Sequence, residues 1–162
     1  MSQSSESSFV YVTFIRTTPE KLWSALTDAN QMKEYWFGMH IHTEWKTGAE
    51  WQMVLPDGRV ADTGEILELD RPRRIRLKWR NEFRPELKAE GFALCTIEIE
   101  PYGDAVRLSI LHTIERAESK FIQAVSGGWP KILSNLKSLL ETGQVVLTEA
   151  DHSDARHDLQ RA

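Results

Sequence analysis

The chain has 162 residues, 41% of them hydrophobic and 27% charged, which suits one domain with a real core and excludes a wholly disordered or fibrous protein. Its net charge of -4 supplies no long-range attraction for nucleic acid or an anionic bilayer, so small-molecule or protein partners are expected. No apolar run approaches the roughly 20 residues of a membrane span, and the polar opening Met1 to Ser8 lacks a basic flank, so a cytoplasmic location is expected.

Residues 1–8 read as a disordered tail. Phe9 to Ile15 is rich in β-branched and aromatic residues and reads as the opening strand. Pro19 then suits a first helical position, with Thr18 as its cap and Glu20 near the positive end of a short helix reaching about Leu26. Asp28 followed by Gln31 resembles a capping box, and Met32, Tyr35 and Trp36 share one face of a second short helix that Phe37-Gly38 closes.

From His40 the period changes to two. Turn chemistry at Lys46-Thr47-Gly48, Pro56-Asp57-Gly58, Asp70-Arg71-Pro72 and Tyr102-Gly103-Asp104 leaves room for six strands, and consecutive hairpins predict an antiparallel meander. The clearest alternation sets Ile75, Leu77 and Trp79 against Arg74, Arg76, Lys78 and Arg80, so one sheet face is dry and the other wet. A last helix carries Phe121, Val125, Trp129, Ile132, Leu136 and Leu139 or Leu140 at intervals of three or four. Gly127-Gly128 and Pro130 inside it are locally unfavourable and predict a bend with Trp129 turned inward. Gly143 suits a left-handed cap, and residues 144–162 read as a polar tail, mobile from Thr148 onward.

This order of elements, together with the words Thr18 to Asp28, Gly64 to Ile75 and Gly128-Trp129 with Ile132 to Leu136, resembles the helix-grip fold of the START-like (SRPBCC) superfamily. The closer likeness is to the branch of the activator of the heat-shock-protein ATPase, the Aha-like carboxy-terminal domain, over residues 9–143. The resemblance implies an α+β fold in which a curved antiparallel sheet of about seven strands carries two short helices after its first strand and one long carboxy-terminal helix packed across it. It also implies that Trp51, Met53, Ile66, Leu77, Trp79, Cys95, Ile97, Leu108, Ile110 and His112 face that helix. Trp36, Phe121, Val125 and Trp129 would then close the other side.

Two readings of those residues stand side by side, a filled core and a cavity. Several large indoles whose N–H groups need partners, the missing side chain at inward Gly64 and the gap at Gly127-Gly128 speak for the cavity. His112 follows Leu108 and Ile110 at spacing two, points inward, and is the best polar candidate to orient a ligand. No motif supplies a nucleophile or an acid beside it.

The basic row of Arg74 to Arg80 reads as a solvated ion-pair face with Glu98, Glu100 and Glu65 available across the strands, rather than a nucleic-acid surface. His40 and His42 share a strand face, but no spacing supplies further metal ligands, and His152 and His157 lie in the tail. Cys95 is the single cysteine, excludes an intrachain disulfide, and should behave as a small buried apolar residue. The expected function is therefore non-catalytic binding of a hydrophobic or aromatic small molecule, with no cofactor and no metal, by a monomer or homodimer. A co-chaperone-like interaction module with a chaperone partner is the alternative, and cyclase- or hydrolase-type chemistry in the cavity is the third. Nothing in the chain resembles the additional amino-terminal domain of eukaryotic activators, so ATPase stimulation is not expected.

Overall fold

The computed structural model describes residues 5–148; the expectations for residues 149–162, including those for His152 and His157, lie outside the described residues. Strand β1 (Ser7–Ile15) leads into helices α1 (Pro19–Thr27) and α2 (Ala29–Tyr35). Strands β2 (His40–His42), β3 (Glu50–Val54), β4 (Val60–Asp70) and β5 (Arg74–Asn81) follow. Helix α3 (Pro85–Lys88), strands β6 (Ala93–Tyr102) and β7 (Ala105–Ile114), and helix α4 (Lys120–Thr142) complete the fold. The seven strands form one antiparallel sheet in the order β1-β7-β6-β5-β4-β3-β2, so the opening strand closes on the last one and the meander runs outward from there. This is the expected α+β helix-grip architecture.

Local chemistry places each element. The Thr18 hydroxyl accepts from Lys21 N, with Pro19 at the first helical position where its missing N–H costs nothing. Asp28 caps α2 by accepting from the backbone N–H groups of Asn30 and Gln31 at 2.8 and 3.1 Å. The Gln31 amide donates to Ser24 Oγ of α1, tying the two helices together. At the start of α4 the Ser119 hydroxyl accepts from Ile122 N, and Glu90 accepts from Lys120 N at 2.9 Å and Phe121 N at 3.3 Å. A carboxylate at the positive end of a helix is favourable, and this one binds the chain after α3 to α4. Gly143 ends α4 with φ +83°, the expected left-handed cap.

Alternation builds the two faces. On β5, Ile75, Leu77 and Trp79 are buried while Arg74 and Lys78 are exposed, and the register pairs Ile75 with Ile97, Leu77 with Cys95 and Trp79 with Ala93. On the wet side Arg74 meets Glu98 at 3.0 Å and Glu68 at 3.6 Å, and Arg80 meets Glu82 at 2.6 Å, the ion-pair surface expected of that row. The core fills the space between the dry face and α1, α2 and α4.

Three features differ from the expectation. Strand β1 begins at Ser7, where its hydroxyl donates to Arg116 O and accepts from Ser119 N. Helix α3 interrupts what periodicity suggested was strand alone, because Pro85 starts a turn of helix after Asn81 Oδ1 has accepted from the N–H groups of Phe83 and Arg84. Residues 145–147 are docked rather than free: buried Asn135 accepts from Val146 N and Leu147 N at 2.9 and 2.7 Å and donates to Leu147 O at 3.0 Å. Helix α4 runs without interruption through Gly127, Gly128 and Pro130 and turns Trp129 into the core as expected.

Candidate functional site

The cavity lies at one end of the helix-grip interface. Met53 of β3, Asp62 of β4 and Trp79 and Asn81 of β5 form its sheet wall, Trp36 and Met39 close the α2 side, and Phe83, Arg84 and Leu87 supply a wall around α3. Phe121, Ala124, Val125, Gly127, Gly128, Trp129, Lys131 and Ile132 of α4 cover it, enclosing about 250 Å³. Gly128, half-buried and among the lining residues, leaves room there: a Cβ on it would meet no atom within 4 Å. The lining residues of α4 and of the β5–α3 connection that keep solvent exposure include Phe83, Arg84, Val125, Gly127 and Lys131, so the mouth opens between those two elements.

Aromatic rings floor the cavity. Trp36 meets Trp129 edge-to-face at 5.3 Å and Trp79 in a stack at 6.4 Å, while Trp79 and Trp129 meet at 5.9 Å. Three indole N–H groups find partners within the protein: Trp51 Nε1 donates to Lys78 O at 3.0 Å, Trp79 Nε1 to Asp62 Oδ2 at 2.7 Å, and Trp129 Nε1 to His112 Nε2 at 2.7 Å. For these three rings the cost of burying the N–H is offset by protein acceptors rather than by a guest.

Asp62 is the ionisable group of the floor. It is half-buried and lines the cavity. Burial pushes its carboxyl up to about 7; hydrogen bonds from Trp79 and Asn81 oppose that rise and the nearby Glu82 carboxylate adds to it. A carboxyl poised there can gain or lose a proton near neutrality, the property of a general acid or base, and the lining brings no hydroxyl, thiol or imidazole nucleophile beside it.

A family model described as activator of Hsp90 ATPase homolog 1-like protein matches residues 16–141. The chain belongs to this family. Its relatives among solved structures share the fold at low identity. Protein MLL2253 from Mesorhizobium loti is 20% identical over 86% of this chain and 100% of its own, with a TM-score of 0.73. The Aha1 dimer from Colwellia psychrerythraea is 17% identical over 85% and 98%, with a TM-score of 0.69. An HSP90 activator from Plasmodium falciparum is 22% identical over 82% and 95%, with a TM-score of 0.67. Such likeness establishes the architecture alone. No curated protein matches the chain.

Of the residues expected to face the cavity, Trp36, Met53, Trp79, Phe121, Val125 and Trp129 line it. Trp51, Ile66, Leu77, Ile97, Leu108, Ile110 and His112 do not: they are at most 5% exposed and pack as solid core toward the centre of the sheet. The reason is the helix above them. Where α4 carries Leu133 and Leu136 the branched side chains are buried in the core away from the cavity, whereas the stretch around Gly128 lines the hollow. Gly64 likewise opens no void, because the Trp51 indole occupies its place: a Cβ there would lie 1.7 Å from Lys78 O and 2.6 Å from Trp51 Nε1.

His112 is a core residue. Its Nε2 accepts from Trp129, so the ring proton sits on Nδ1, and burial pushes its pKa down to about 3. Cys95 is fully buried and its thiol is raised by burial, the inert behaviour expected. On β2, His40 is half-buried and His42 exposed, and among the described residues no group of three metal-ligating side chains converges. No helix among them is long and apolar enough to cross a membrane.

Asp62, Asn81, Arg84, Leu87 and Lys131 are lining residues that sequence reasoning did not single out. Asp62 carried a readable signal, standing two residues before inward Gly64, and the register indeed pairs it with inward Met53 and with Asn81. Arg84 and Leu87 carried none, because they reach the cavity through a turn and a single turn of helix that no periodicity marks.

Proposed function

We propose that the protein binds a hydrophobic or aromatic small molecule, without converting it, in the cavity between α4 and the β3–β5 part of the sheet. The observation that carries this reading is a hollow of about 250 Å³ walled by Trp36, Trp79, Trp129 and Phe121 and covered by a glycine pair. Apolar walls provide the affinity, about 2.5 kcal/mol for each 100 Å² of ligand surface removed from water. Asp62 and Asn81 provide polar anchors in the floor.

Native mass spectrometry of the purified protein followed by a thermal-shift screen of aromatic and acyl compounds tests it. Gly128→Leu places a side chain into open space on the cavity face of α4 and replaces a poor helix former, so the variant should be as stable as the parent or more so while losing ligand-induced stabilisation. Hits that stabilise Gly128→Leu as fully as the parent protein would show that ligands bind elsewhere.

A second reading, a protein-interaction module with a chaperone-class partner, draws on the outer sheet face. Val10, Val12 and Phe14 of β1 are exposed there; Val10 is paired with exposed Leu111, and Phe14 meets exposed Tyr102 at 5.0 Å. Titration of the protein and of its Val10→Lys/Phe14→Lys variant with a purified chaperone ATPase separates the readings. Equal binding by both proteins, or none by either, removes this face from consideration.

A further inference from the structure

The charges around the cavity are arranged with opposite sign at its two ends. Asp62 sits in the floor, held by Trp79 and Asn81, whereas Arg84 and Lys131 stand among the partly exposed lining residues at the mouth. Arg84 is fixed in place: its backbone N–H donates to Asn81 Oδ1 at 2.9 Å and its Nη2 reaches Glu86 Oε2 at 3.3 Å. Arg84 Nε is buried without an acceptor, as is Glu86 Oε1 without a donor. Lys131 of α4 makes no ion pair with any described residue. Just outside, a more open recess shares Arg84 and Ala124 with the cavity and adds Lys120, Gln123 and Glu86.

Resting on the reading above, we propose that the ligand is an amphipathic carboxylate, its apolar body inside the aromatic cavity and its acidic head at the mouth between Arg84 and Lys131. The Arg84 side chain keeps 20% of its surface exposed and Lys131, without an ion pair among the described residues, stands beside the same opening, so a ligand carboxylate there can form charge-assisted bonds with both. Of the charged side chains lining the opening, Arg84, Lys131 and Lys120 are cations and Glu86 is the carboxylate, while Glu90 is engaged behind them by the N–H groups of Lys120 and Phe121, so an anion at the mouth meets cations first. Asp62 fixes the polarity of entry. Deep in the cavity a carboxylate would find Asp62 and no cation, whereas at the mouth it meets Arg84 and Lys131, so the head group stays outward and the hydrocarbon goes in.

The test is calorimetry on the full chain at pH 7.5 with two matched probe sets: octanoate, octanamide and octylammonium, and 2-naphthylacetate, its amide and 2-naphthylethylammonium. The carboxylate of at least one set should bind about tenfold more tightly than its amide, and the ammonium most weakly. That preference should shrink at high salt and fall to about twofold or less in Lys131→Gln, a half-exposed helix position that leaves the fold undisturbed, and in Arg84→Gln. An ammonium that binds as well as the carboxylate, or a carboxylate preference unchanged in both variants, overturns the head-group assignment. Amides that bind without any carboxylate preference overturn this inference but leave the cavity reading standing. Failure of every probe in both sets counts against the cavity reading and takes this inference with it.

Discussion

The indole N–H of Trp129 on α4 donates to His112 Nε2 on β7 at 2.7 Å, a polar bond between the long helix and the sheet it grips, made inside an otherwise apolar core. It orients both rings, fixes the histidine tautomer, and turns Trp129 so that another part of its surface walls the cavity. Trp129→Phe removes the donor and leaves His112 Nε2 unpaired as well as Nδ1, which is buried without a partner in the parent protein. We expect a loss of about 2–4 kcal/mol, combining the unsatisfied acceptor with the reduced ring volume. A urea midpoint equal to that of the parent would show that this bond contributes nothing.

Acid sensitivity follows from the same residue. Folding holds His112 neutral, with a pKa of about 3 against 6.5 when exposed, so its stabilising contribution is complete above pH 6.5 and declines as the pH falls from there toward 3. Denaturation at pH 7 and at pH 5 should show the parent losing stability relative to His112→Gln; the opposing relief of the Asp62 penalty over the same interval is present in both proteins and cancels. Half-buried His40, also held below its ordinary value by burial and by Lys33 and His42, remains in both proteins and cancels in the comparison. Parallel pH profiles for the two proteins would contradict the buried neutral state.

Asp62 acts with the opposite sign. Its carboxyl is raised from 3.8 to about 7, so folding disfavours the carboxylate; the penalty is absent below pH 3.8, grows between there and about 7, and is constant above. Asp62→Asn should therefore stabilise the protein by about 1–2 kcal/mol at pH 8 and by nothing at pH 4, a figure kept below the full value of the shift because one side of the group faces the cavity. Thermal melts at the two pH values measure this. A variant less stable at pH 8 would mean that the bonds from Trp79 and Asn81 to the carboxylate outweigh its burial.

Gly64→Ala should be severe. The added methyl would overlap Lys78 O and the Trp51 indole, neither of which can move without breaking the bond between them or the ladder that pairs β4 with β5. A loss of at least about 3 kcal/mol is expected, and denaturant melts followed by Trp fluorescence would record it. A loss below about 1 kcal/mol would show that this part of the sheet relaxes easily.

The chain's periodicity, caps and turn residues were enough to determine that a meander of strands stands between two short helices and one long one. These are local signals: a Pro after Thr18, a period of two through Ile75, Leu77 and Trp79, a glycine after Thr142. The inward face of each strand was legible for the same reason, since alternation alone assigns it. Spacing cannot say how far a facing helix stands off. Ile110 and Trp79 look equivalent along their strands, yet Ile110 lies in solid core and Trp79 walls a hollow, because the helix carries side chains in one stretch and glycines in another. Tertiary structure likewise decided that His112 would be consumed by Trp129, that Asp62 would be the acid of the floor, and that Arg84 and Leu87 would supply a wall. Each of these depends on which elements meet, and the energy of a buried polar group is set by the partner it meets rather than by its neighbours in the chain.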